Sequence, residues 1–153
     1  MAAARRSVNI VGTAPNTTMK ELVARYFEAW RGQPGAPTPL VGCQRHIFVA
    51  ETDAAATATA RGAYRAWYES LTSLWRAFGS VPYRFSETLE QAQANDAAIV
   101  GSPATVRAEI ERHIAENGCN YFVTRFAYGS LTHEQAARSL DLFASEVLPK
   151  FRS

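Results

Sequence analysis

Residues 97–148, AAIVGSPATVRAEIERHIAENGCNYFVTRFAYGSLTHEQAARSLDLFASEVL, decide the fold. Ala97–Val100 is a short apolar strand. Ser102 is a good N-cap, and Pro103 takes the first helical position, where a missing N–H costs nothing. Val106, Ile110 and Ile114 recur at helical spacing, and Asn117-Gly118 stops the helix. Cys119–Tyr128 is the next strand. Thr132 then caps a last helix with Gln135 in the capping-box position. Ala136, Leu140, Phe143 and Val147 form its sheet-facing stripe, and Pro149 marks its end. Two consecutive strand–helix units with short connections predict a parallel sheet with helices packed outside it.

Working outward, the same pattern recurs toward the N-terminus. Ala2–Arg6 reads as the tail of a helix and Ser7–Gly12 (SVNIVG) as a strand ending in Gly. Thr18 with Glu21 has capping-box spacing and opens a helix whose apolar residues are Leu22, Val23, Tyr26, Phe27 and Trp30. The Gly- and Pro-rich segment Gly32–Pro39 is a surface loop. Leu40–Ala50 (LVGCQRHIFVA) is a second strand. Thr52 or Asp53 caps a long helix running to about Phe78, with Ala60, Tyr64, Trp67, Leu71, Leu74, Trp75 and Phe78 on its apolar face. Gly79–Phe85, containing Pro82, breaks the pattern, and Ser86 caps a short helix to Asn95. Residues 79–96 are therefore expected to be an insertion between βα units. The whole is a single α/β domain over residues 1–153 with about four βα units, parallel strands and outer helices.

The composition is that of a globular chain: 47% of residues are apolar and 20% charged. With 16 basic and 14 acidic residues, the net charge of +2 favours no charged partner, and no basic stripe suggests nucleic acid. No apolar run approaches the roughly 18 residues of a membrane span. MAAARR has no apolar core behind it, so it is not a secretory signal. Cys43 and Cys119, far apart in sequence, read as reduced thiols rather than a disulfide framework. A cytoplasmic location is the expectation. No set of His, Cys or carboxylate residues has metal-ligand spacing.

Two strings, VGSPATVRAEI (100–110) and NYFVTRFAYGSLTHEQAARSLDLFASEVLP (120–149), resemble the C-terminal part of the bacterial luciferase-like monooxygenases. RHIFVAETDAAA (45–56) followed by AYRAWYESLTSLW (63–75) is similar to a strand and following helix of the same family. The resemblance implies a partial TIM-type (β/α)8 barrel, an architecture that typically takes about 250 residues. It also implies a flavin-dependent oxidoreductase using reduced FMN and O₂ on a small-molecule substrate. The deazaflavin F420 is an alternative cofactor on the same barrel. The family's flavin-phosphate loop precedes the matched strands, so a truncated chain with weak or no activity alone is expected. A non-enzymatic half-barrel module is a further alternative, since open sheet edges invite pairing, including a homodimer.

In such barrels the chemistry sits at the carboxyl ends of the strands. Gly12 and Thr13 are either a strand end and loop or a close approach to the flavin ring. Gly101 and Ser102 are either a plain helix start or an anion site at a helix N-terminus. Arg125, in an apolar strand, needs a partner: an interior ion pair or a ligand. His46 lies mid-strand, facing opposite to Arg45, and reads as a hydrogen-bonded structural group. His113 lies between charged helix neighbours and reads as a surface residue. No residue is singled out as catalytic.

Overall fold

The computed structural model describes residues 2–30, 32, 35, 37–81 and 85–151. Pro82 and part of the loop expected over 32–39 lie outside the described residues. The elements are α1 (Ala2–Arg5), β1 (Ile10–Gly12), α2 (Asn16–Ala29), β2 (Val41–Val49), α3 (Asp53–Ala77), α4 (Leu89–Ala94), β3 (Ala98–Gly101), α5 (Pro103–Asn117), β4 (Tyr121–Arg125) and α6 (His133–Leu142). A π-helical turn, Phe143–Val147, continues α6.

All strand pairs are parallel, and β2 is the hub of the sheet. Its backbone groups alternate between two edges. On one edge Ile10 donates to Leu40, and His46 and Ala50 donate to Ala97 and Gly101. This edge therefore carries β1 beside Val41–Cys43 and β3 beside His46–Val49. On the other edge Asn120 donates to Val41, and β4 pairs with Gly42–His46. The strands thus stand β1, β2, β4 across the sheet, with β3 set beyond β1 along β2. Parallel strands with packed helices are what the sequence predicts; this order is not chain order.

The order decides which face each helix covers. The connections β1–α2–β2 and β3–α5–β4 step one way across β2, whereas β2–α3–β3 steps back. Right-handed crossovers then place α3 on the opposite face from α2 and α5. The packing agrees. Cys43, Ile47 and Val49 face Met19 and Val23 of α2, Val106 and Ile110 of α5, and Phe143 and Val147 beyond α6. Phe48, Ala98 and Val100 face Ala56, Ala60, Ala63 and Tyr64 of α3. We call the first the outer face and the second the inner face. Each large aliphatic side chain buried here contributes about 1.5–3 kcal/mol.

Several helix boundaries follow local chemistry. Thr52 caps α3, Ser102 caps α5 with Pro103 inside, Gly118 closes α5 at φ 69°, and Thr132 with Gln135 forms a capping box. Others depart from expectation. Helix α2 starts at Asn16, two residues before Thr18. The Asn16 N–H is capped by the Asp96 carboxylate at 2.9 Å, so a partner 80 residues away replaces the local box. Helix α4 is capped by Thr88 with Gln91, not by Ser86. On α6 the buried residue is Ser139 while Leu140 is exposed. Ser139 Oγ accepts the Val49 N–H at 2.7 Å, where β4 has ended and the β2 edge needs an acceptor.

Helix α3 also differs from its predicted apolar stripe. Ala60 and Tyr64 are buried, but Leu74 and Phe78 are 72% and 85% exposed. Its 25 residues span about 37 Å, far more than the four-residue β3 it packs on. The distal turns overhang the sheet.

Candidate functional site

Two arginines project from the sheet, one on each face. Arg45 points to the outer face and is 1% exposed. Its Nε donates to His113 Nδ1 (3.1 Å), Nη1 to Gln44 O (2.9 Å), and Nη2 to Ala14 O (3.0 Å) and Asn16 Oδ1 (2.9 Å). Every acceptor is neutral. Burial lowers its pKa, opposed by the nearby thiols and Asp96. His113 is buried rather than surface-exposed, because α5 turns it inward to Arg45. Burial and then the Arg45 charge bring its pKa down to about 4, leaving it neutral and able to accept. This network ties the β1–α2 turn, β2 and α5 together and keeps Arg45 sealed from solvent.

Cys43 and Cys119 also meet on the outer face, their sulfurs 3.4 Å apart and unbonded. The hydrogen bond between them and burial push Cys43 up, while the same hydrogen bond brings Cys119 down to about 6.

The inner face carries a different cluster. Register places Arg125, the last residue of β4, beside His46, with Gln44 two residues before it on the same face. Arg125 Nη1 lies 3.2 Å from His46 Nε2. With the Gln44 amide turned so that its oxygen faces β4, that oxygen accepts from Arg125 Nε and Nη2, both at 3.0 Å. Among the described residues no carboxylate pairs with Arg125. The His46 ring is walled by Trp67, Tyr128 and Tyr64, with centroids 4.4, 4.9 and 5.7 Å away. Burial and then the Arg125 charge lower His46 to about 4, so at neutral pH it is an acceptor for Arg125. Tyr128 is 6% exposed, and among the described residues its hydroxyl has no hydrogen-bond partner. Burial pushes its pKa up, so it stays a donor. Gly129, at φ 58°, lets the chain after β4 touch α3; a Cβ there would overlap the Ala63 carbonyl.

The other residues singled out in the sequence lie elsewhere. Gly12 faces α2: a Cβ would stand 2.5 Å from Met19 Sδ. Thr13 is exposed in the turn after β1. Ser102 Oγ accepts from Thr105 N at the start of α5. Its own N–H donates to Asp53 Oδ1 at 2.6 Å. A Cβ on Gly101 would stand 2.8 Å from that same carboxylate oxygen. The α5 N-terminus therefore already holds an anion, and the Ser102 hydrogen bond lowers the Asp53 pKa. Of these five residues only Arg125 joins the inner-face cluster. Tyr128, Trp67 and Gln44 were missed, because nothing local marks residues that α3 and β4 bring together from far apart. Among the described residues there is no cluster with metal-ligating composition and no helix long and apolar enough to cross a membrane.

Comparison with known proteins bears on this geometry. The chain is 32% identical over 120 residues to 2,5-diketocamphane 1,2-monooxygenase 1 of Pseudomonas putida, a match covering 71% of this chain and 33% of that protein. The crystal structure of monooxygenase RslO1 from Streptomyces bottropensis superposes with a TM-score of 0.71 at 24% identity, covering 99% of this chain and 44% of that one. The chain resembles the C-terminal part of a luciferase-like monooxygenase. The oxygenating constituent of 3,6-diketocamphane monooxygenase of P. putida, solved in complex with FMN, also superposes with a TM-score of 0.71 at 23% identity, covering 97% of this chain and 44% of that one. These neighbours are TIM-barrel enzymes, and the four-stranded parallel sheet fits part of such a barrel. The chain spans between a third and less than half of the length of these relatives. No family model matches it.

Proposed function

We propose that this chain forms part of the barrel of a flavin-dependent monooxygenase, an oxidoreductase that oxygenates a small organic substrate with reduced FMN and O₂. The observation that carries the reading is the inner-face cluster: a guanidinium without a carboxylate partner among the described residues, backed by three aromatic rings on a parallel sheet. The likeness to a diketocamphane monooxygenase supports it, and the FMN complex among the structural neighbours favours FMN over F420.

The residues present fit one wall of such a site. Trp67, Tyr64 and Tyr128 seal the sheet behind Arg125 and exclude water from that side. Arg125, held by Gln44 and His46, presents fixed positive charge to the chamber. Reduced flavin, when bound, supplies the electrons for oxygen activation, and the protein's part is to orient and to exclude water. Val11 and Tyr121, 49% and 44% exposed on the same face, suit a sheet that further strands close, whether from the same barrel or from a second copy.

Flavin fluorescence tests the reading. FMN emission should be quenched weakly by the chain alone. It should be quenched saturably when the remaining barrel strands of a relative are supplied as a second polypeptide. FMN emission unchanged under both conditions contradicts the proposal.

A further inference from the structure

We propose that the Arg125–Gln44–His46 cluster binds the carboxylate of an anionic organic substrate, with the Tyr128 hydroxyl as a second donor. This rests on reading the inner face as the chamber of a monooxygenase, and it adds the charge of the substrate.

A guanidinium has five N–H groups. In Arg125, Nε and one N–H of Nη2 go to the Gln44 oxygen, and one N–H of Nη1 goes to His46. One N–H on each terminal nitrogen is left, and Arg125 is only partly buried. Two N–H groups from one guanidinium match a carboxylate bidentately. Gln44 and His46 hold the group in place without neutralising it, because both accept as neutral groups. The charge of Arg125 is thereby kept for something outside the protein.

The unpartnered Tyr128 hydroxyl is an independent sign. Burying a hydroxyl without a partner is costly. This one belongs to a ring packed edge-on against His46, in the same cluster as Arg125. A ligand oxygen would satisfy it. Charge balance separates carboxylate from phosphate. One guanidinium matches one negative charge, and no second cation is hydrogen-bonded to the cluster among the described residues. The neighbouring helix N-terminus that would suit a phosphate, that of α5, is taken by Asp53. The aromatic wall suits an apolar body behind the carboxylate.

The test is a titration of the full chain with benzoate, benzamide and phenyl phosphate, without flavin, following the Arg125 Nε–Hε resonance by NMR. Benzoate should shift it saturably and benzamide should not. Arg125→Gln should weaken benzoate binding at least tenfold, Arg125→Lys should recover part of it, and Tyr128→Phe should weaken it about threefold. Benzamide binding as well as benzoate, or benzoate affinity unchanged in Arg125→Gln, overturns the proposal. Phenyl phosphate binding tenfold tighter than benzoate would assign the site to a phosphate and overturn the carboxylate. Should Arg125→Gln fail to fold, Arg125→Lys and Tyr128→Phe decide, and no change in either overturns it. Because no flavin is present, Arg125-dependent benzoate binding without any FMN quenching would reject only the flavin reading. The converse would reject only the carboxylate.

Discussion

Two arginine–histidine pairs stand back to back across one sheet, and they do opposite things. Arg45 and His113, on the outer face, are sealed beneath α2 and α5. Four of the five Arg45 N–H groups are satisfied by backbone carbonyls and neutral side chains. Arg125 and His46, on the inner face, make fewer bonds and keep two N–H groups open. The residue types are the same, although Arg45 of mid-β2 meets His113 of α5 and Arg125 at the end of β4 meets His46 of β2. The difference lies in what covers the face: α2 and α5 close over one pair, whereas α3 packs against His46 of the other and leaves Arg125 only partly buried. A buried cation with a complete set of acceptors is a structural fastener. A cation with acceptors on one side only is an open half-site.

The contrast is broken most sharply by removing each arginine. Arg45→Ala leaves several acceptors unsatisfied in a sealed layer and should cost about 3–5 kcal/mol, read as a large fall in Tm. Arg125→Ala should change stability by about 1 kcal/mol or less, since the site is partly open. Equal losses would erase the distinction. Gly129→Ala should come next, at about 2–4 kcal/mol, because it combines positive φ with an overlap on the Ala63 carbonyl. Urea denaturation reads that cost. A neutral Gly129→Ala would mean that α3 does not lie against the end of β4.

Acid sharpens the comparison through the histidines. Both have folded pKa values of about 4, against roughly 6.5 in an unfolded chain. Between those values the unfolded chain takes up protons that the folded chain refuses. Stability is therefore fully present above pH 6.5 and falls as pH drops toward 4. The two together should lower stability by several kcal/mol across that window, seen as a falling Tm. Ring-proton NMR titration should give midpoints near 4 for each. A midpoint near 6.5 for His46 alone would mean that the inner-face wall is wet. The smallest effect is expected on the α3 overhang. Leu74→Ser and Phe78→Ser should alter stability by no more than about 0.5 kcal/mol. They should lower any concentration-dependent light scattering, because apolar surface leaves the exposed end of the helix.

Legibility in the sequence tracked the range of the interaction. Ser102-Pro103, Gly118, and Thr132 with Gln135 mark helix ends through chemistry spanning a few residues, and these ends lie where the sequence predicts. The start of α2 was illegible because its cap, Asp96, comes from another part of the chain. His113 reads as exposed from its charged neighbours, and only the packing of α5 over Arg45 turns it inward. The Leu140 stripe is displaced because an unpaired N–H at the β2 edge recruits Ser139 instead. Strand order is the largest of these effects. Periodicity marks a strand but does not say which edge of β2 it takes. The inner-face cluster depends on that choice, so Arg125 was visible as an anomaly while Gln44, Trp67 and Tyr128 were not.

The central claim is that the face bearing Arg125 is the chamber and the face bearing Arg45 is not. The most direct measurement follows the two arginine Nε–Hε resonances by NMR while FMN is added to the chain together with the remaining barrel strands. The account predicts that the Arg125 resonance shifts with FMN and that of Arg45 stays fixed. An Arg125 resonance that does not move while FMN binds, or an Arg45 resonance that moves with it, would contradict the account.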